Sequence, residues 1–188
     1  SDAMSQFAQE VLYTLAHDAD HNAQFPVELW QHLTDLGLNY YALPEALGGV
    51  AAEQSVVSNV LIAESLAKGD FSLTAGLLST FSGIYTELKA TFAFQEATPA
   101  FNPFQLKTKA TETNGQFTIT GEKSLVILGQ HADLLLVSAE FHGQPDIFVA
   151  QSNQTVSIKA NPAMGLKATE TVSLQFNQTP AVRLGDAD

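Results

Sequence analysis

Apolar and polar positions repeat with two different periods along this 188-residue chain, and the change falls near residue 90. Before that point the spacing is helical. Phe7, Val11, Leu12 and Leu15 fall on one face of a first helix, because residues three and four apart are neighbours on a helix surface. A second helix is expected to start at Phe25-Pro26, with Val27, Trp30, Leu33 and Leu36 as its apolar face and Gly37 as its stop. Pro44 to Gly49 reads as a turn-rich loop. A third helix is expected from Ala52 to Lys68, with Val56, Val57, Val60, Leu61 and Leu66 periodic and Gly69 closing it. A fourth is expected from Phe71 to Lys89, with Asp70 as its N-cap.

After residue 90 the period becomes two. Phe117 to Thr120 and Val172 to Phe176 alternate, while Leu134 to Val137 and Ile147 to Ala150 are short apolar runs of buried-strand type. Asn114-Gly115, His142-Gly143 and Ser152-Asn153 punctuate them at hairpin spacing. The fold expected is α+β and multidomain: an all-α helical domain over residues 4–89, then an antiparallel β-barrel-like domain over residues 90–188.

Composition narrows the function classes. Apolar residues make up 45% of the chain and charged residues 15%, so both halves can bury a core. The net charge of −12 disfavours nucleic acid and anionic membrane, which need clustered cations. The acid is unevenly placed: residues 1–89 carry two Lys against eleven Asp or Glu, a balance of −9, and the remainder carries −3. No Cys is present, so thiolate chemistry is excluded. No apolar run has membrane-spanning length and no signal-peptide pattern opens the chain, so a cytoplasmic location is expected. Ser1-Asp2-Ala3 ahead of Met4 reads as a cloning remnant.

The most informative stretch is Gly121-Glu-Lys-Ser-Leu125-Val-Ile127-Leu-Gly-Gln-His-Ala-Asp133. It resembles the G-x-K-x-W-I-T-N-G-x-x-A-D segment of the acyl-CoA dehydrogenase family. Four further stretches are similar to family motifs in the same order. They are Phe25 to Leu38, Leu43 to Gly49, Ala63 to Ser72, and Gly165 to Phe176, with Pro180 to Gly185 resembling the segment that follows. The resemblance implies the family's helical and middle β-domains. It also implies FAD as cofactor, an acyl-CoA as substrate, and oxidoreductase chemistry on a CH–CH bond.

The flavin-contact positions that the resemblance implies are Phe94, Gln95, Leu125 and Ile127. Gln95 stands where the family has a Thr facing the flavin, and Leu125 and Ile127 stand where it has Trp and Thr. Ala100-Phe101 replaces a Gly-Ser pair that suits close phosphate approach. The family's third, helical domain, which carries its catalytic Glu, has no counterpart before Asp188. No catalytic residue is therefore assigned. Glu64 and Glu96 read as a helix-surface and a strand-end carboxylate. His17 and His21, one helical turn apart, suit a metal by spacing, but two solvated imidazoles are the commoner explanation and no metal is assigned. Ser79 to Ser82 reads as hydroxyls bonded back to helix carbonyls.

Two functions are expected to compete. One is a truncated homologue with lost or impaired flavin binding, taking an apolar ligand or an acyl-CoA, its exposed surface covered by self-association or a partner chain. The alternative is a flavin-dependent acyl-CoA dehydrogenase whose site is completed by a missing domain or a second chain.

Overall fold

The computed structural model describes residues 2–38, 56–82 and 88–185. The loop expected over Pro44 to Gly49 and the start of the third helix lie outside them. The chain forms two compact units, residues 1–87 with 163–169, and residues 88–162 with 170–188.

In the helical unit, α1 (Asp2–Phe7) passes through a π-helical turn (Ala8–Leu12) into α2 (Tyr13–Asn22). Of the predicted face Phe7 and Leu12 are buried and Val11 and Leu15 half-buried, and Ala8 is buried as well. Ala23 ends the run in the left-handed conformation and returns its N–H to the carbonyls of Ala19 and Asp20. The second helix, α3 (Leu29–Asp35), begins later than Pro26. Pro26 and Val27 instead accept turn hydrogen bonds from the amides of Leu29 and Trp30. The buried face is Leu29 and Leu33, while Val27 is exposed. Gly37, at φ +69°, stops the helix as expected.

The third helix, α4 (Val56–Ala67), departs further from expectation. Val56, Val57, Val60 and Leu61 are all more than half exposed, and only Leu66 is fully buried. Asp70 caps α5 (Phe71–Ser79) by accepting from the Leu73 amide at 2.7 Å. This helix ends ten residues short of Lys89 and gives way to a short strand, β1 (Thr80–Ser82). The physical reason lies at Thr80. Its hydroxyl donates to the Gly76 carbonyl at 2.8 Å and accepts from the Trp30 indole N–H at 3.3 Å. Its backbone is already extended, which a β-branched residue favours. Residues 163–169, distant in sequence, pack with the helices: Ala168 and Thr169 are buried, and Lys167 lies 3.9 Å from Asp20.

The β-unit holds β2 (Lys89–Ala93), β3 (Lys109–Thr113), β4 (Gln116–Val126), β5 (Leu134–Phe141), β6 (Gln144–Gln151), β7 (Val156–Ala160) and β8 (Val172–Arg183). Five of them close a ring in the order β5-β6-β8-β4-β3 and back to β5. Strand β2 pairs in parallel with the start of β5, and β7 pairs with β8. The ring is the predicted barrel, antiparallel except where β5 meets β2 and β3. Two of its turns are two-residue hairpins with both residues at positive φ: Asn114-Gly115 and His142-Gly143. The core follows the alternation, with Ile119, Leu135, Val137, Phe148, Leu174 and Phe176 wholly buried.

Gly69 shows how tightly the helical unit is packed. A Cβ built there would lie 2.3 Å from the Ala8 carbonyl oxygen, at the start of the π-helical turn. Gly69→Ala is expected to destabilise the helical unit by about 1–3 kcal/mol through overpacking. Urea denaturation followed by the single Trp30 reads this directly, and an unchanged midpoint would contradict it.

Candidate functional site

Ser124 donates its amide to the Gln95 carbonyl at 2.8 Å, and Thr91 donates its hydroxyl to the Ile127 carbonyl at 2.8 Å. These two bonds run β2 and its extension past the end of β4 in antiparallel sense. Alternation then decides which side chains face out. Thr91, Ala93 and Glu96 are buried, whereas Phe92, Phe94, Gln95 and Leu125 are exposed and Ile127 is half-buried. The four predicted flavin-contact positions, Phe94, Gln95, Leu125 and Ile127, thus lie on two hydrogen-bonded segments that form a partly exposed strip.

Leu125 reaches that surface through an irregularity. The pairing of β4 with β8 shifts between Lys123 and Val126, which is the signature of a bulge. Leu125 sits there at φ +53°, a conformation costly for a side chain of this kind, and is 51% exposed. The ring of Phe101 meets Phe94 edge to face, with centroids 5.5 Å apart. Apart from the Gln95 amide, the strip's side chains offer no hydrogen-bonding group.

Directly beneath the strip lies a polar cluster that strand alternation alone does not announce. Lys123 is completely buried, and its ammonium donates to Glu96 Oε1 at 2.9 Å, the Ser138 hydroxyl at 3.1 Å and the Phe94 carbonyl at 3.2 Å. All three ammonium protons are therefore used. Glu96 accepts in addition from the amides of Lys107 and Thr108, each at 2.9 Å. Ser138 also donates to the Phe94 carbonyl at 3.1 Å. Gly121, at φ +146°, permits the close approach of Thr108, whose Cα would lie 2.6 Å from a Cβ at that position. Burial alone would raise the Glu96 pKa. The amides of Thr108 and Lys107, then the Lys123 ammonium, outweigh it and hold the carboxyl at about 2. Burial in turn pulls the Lys123 pKa down, against the pull of Glu96.

A carboxylate this weakly basic, with its oxygens already engaged, is a poor proton acceptor. Glu96 is a structural anion. Glu64 is exposed and lies 3.7 Å from Lys68, one helical turn away. Glu96 and Lys123 each sit among polar neighbours, Gln95 and Thr98 for the one and Glu122 and Ser124 for the other, so nothing local marked them as buried.

The remaining candidates separate. His17 and His21 have near-parallel rings 6.3 Å apart on the exposed side of α2. Among the described residues no group of three or more His, Cys, Asp or Glu is placed to hold a metal. Arg183 is engaged by Asp146, with Nε–Oδ2 at 2.6 Å, and stacks over Phe141 at 5.3 Å. A cleft in the helical unit is lined by Leu15, Ala19, Phe25 and Pro26 together with the acidic Asp18 and Glu28, a setting hostile to phosphate.

Residues 1–100 match the family model for the acyl-CoA dehydrogenase N-terminal domain, just over half of the chain. The chain belongs to the acyl-CoA dehydrogenase family. It is 26% identical over 201 aligned positions to the short/branched chain specific acyl-CoA dehydrogenase of Rattus norvegicus, described as mitochondrial, covering 93% of this chain and 46% of that protein. Butyryl-CoA dehydrogenase from Megasphaera elsdenii superposes with a TM-score of 0.82 at 22% identity, covering 97% of this chain and 56% of that one. A glutaryl-coenzyme A dehydrogenase in complex with glutaryl-CoA gives 0.83 at 17% identity, covering 98% and 55%. At these identities the structural likeness speaks to the fold. The chain spans about half the length of the relatives it matches. Among the described residues, no helix of this family member is long and apolar enough to cross a membrane.

The Glu96–Lys123 pair sets an acid-stability window. The Glu96 pKa is depressed in the fold to about 2 from an ordinary 4.5. Its stabilisation is therefore fully present above about pH 4.5 and lost as pH falls towards 2. At neutral pH Glu96→Gln should cost about 3–5 kcal/mol, because it strands a buried ammonium. Urea titrations should show this gap narrowing as the pH drops through that window. A gap that stays constant would contradict the assignment.

Proposed function

We propose that this chain is an acyl-CoA dehydrogenase homologue whose flavin-contact surface no longer holds flavin, and which binds an apolar ligand or partner there instead. The observation that carries this reading is the side-chain chemistry of the strip. Phe94, Leu125 and Ile127 stand together with no hydroxyl or ring N–H among them, and Phe101 rests against Phe94. A flavin's pyrimidine edge and diphosphate need hydrogen-bond donors. The Gln95 amide alone is a poor fit for that demand.

The state of Glu96 points the same way. Glu96 lies beneath it, but its carboxylate is saturated and held at a pKa of about 2. An α-proton abstraction would require a base other than Glu96. The exposed apolar side chains of the strip favour coverage by a second copy or another chain in solution. The competing reading is a flavin-dependent dehydrogenase completed by additional polypeptide, and the shared ancestry supports it. The altered strip side chains favour the first reading.

Titration with FAD separates the two. The purified protein is expected to be colourless and to give no saturable change in flavin absorbance or fluorescence. Acyl-CoA-dependent reduction of an artificial electron acceptor should stay at background. Stoichiometric yellow protein would overturn the proposal, whatever its activity.

A further inference from the structure

Residues 97–106 leave the barrel after Glu96 and return to it at Lys107 and Thr108. Both ends of this excursion are fastened to the same carboxylate. Glu96 stands at its exit, and the two amides that Glu96 accepts stand at its re-entry. Lys123 ties that carboxylate to the Phe94 carbonyl and Ser138. A further bond from the Thr108 hydroxyl to the Glu122 carbonyl, at 3.1 Å, seats the return against β4. Most of the excursion is exposed and contributes little to the barrel core. Leu106 is its one buried apolar side chain, and Phe104 is 76% exposed. Its other anchor is the edge-to-face contact of Phe101 with Phe94.

We propose that the Glu96–Lys123 pair is a latch that holds residues 97–106 as a strap, with Phe101 seated over the Phe94 end of the apolar strip. The strap is short of core contacts, so its position depends on the charge-assisted hydrogen bonds at its two ends. Releasing them frees Phe101 and bares Phe94 while the closed ring of strands persists. Glu96 and Lys123 thus act on the strip as positioning residues, through the strap. The consequence for ligand access rests on the function proposed above, whereas the exchange measurement below reads the latch alone.

Amide hydrogen exchange on the whole chain tests this at neutral pH, using Glu96→Gln, Ser138→Ala and Phe101→Ala. In Glu96→Gln, exchange over residues 97–108 should rise about tenfold or more beyond whatever rise the lost global stability brings to β5 and β6. Ser138→Ala removes one acceptor from Lys123 and leaves both charges paired. It should act in the same direction, by a few-fold, and it decides the matter if Glu96→Gln does not fold. Phe101→Ala should leave the Lys107 and Thr108 amides protected. Three results would each overturn the latch: an even rise across the barrel, an unchanged strap, or a Phe101→Ala effect equal to that of Glu96→Gln.

Discussion

The β-unit is organised around a buried ion pair at the end of its barrel. Lys123 on β4 and Glu96 beyond β2 are both removed from water, a costly placement unless every proton and lone pair finds a partner. Here they do. The ammonium spends its three protons on Glu96, Ser138 and the Phe94 carbonyl, and the carboxylate collects two amides from the residues just before β3. One cluster therefore fixes β2, β3, β4 and β5 relative to one another, in a region where β2 and β3 share one edge of β5. An apolar pair of equal volume would fill the space. It would not specify which amides meet there.

The surface strip is a consequence of that arrangement. Alternation along β2 leaves Phe94 exposed, a break in it beyond Ala93 leaves Gln95 exposed as well and turns Glu96 inward, and the β4 bulge exposes Leu125. The same frame therefore serves two kinds of surface. Polar side chains on it would suit a cofactor, and apolar ones would suit an apolar contact. Membership in the acyl-CoA dehydrogenase family settles the frame. It leaves the chemistry to the individual side chains, because a fold does not by itself imply an activity.

The parts of the fold most legible in the sequence were those set by short-range geometry. The Asn114-Gly115 and His142-Gly143 hairpins, the Asp70 cap and the Gly37 stop each depend on a few adjacent residues, and each stands where the pattern placed it. Longer-range features were less legible. The α4 residues Val56, Val57, Val60 and Leu61 have helical spacing yet face solvent, since periodicity names a face without saying what it meets. The fourth helix ends at Ser79, where Thr80 turns extended and meets the Trp30 indole from fifty residues away. Residues 163–169 join the helices although the sequence around them reads as β.

The candidate site divides along the same line. The motif frame from Gly121 to Asp133 and the identities of Phe94, Gln95, Leu125 and Ile127 were visible in the linear order, because a motif is a local spacing of residue types. Their assembly into one strip required the hydrogen bonds from Ser124 to Gln95 and from Thr91 to Ile127, which join segments about thirty residues apart. Glu96 was legible only as a carboxylate at a strand end. Its depressed pKa and its role as an anchor come from burial and from partners at 107, 108 and 123, so only the closed barrel could decide them. By itself the sequence determined the family, the two-part architecture and the turns. The tertiary structure decided which polar groups lose water and what they must bond to in exchange.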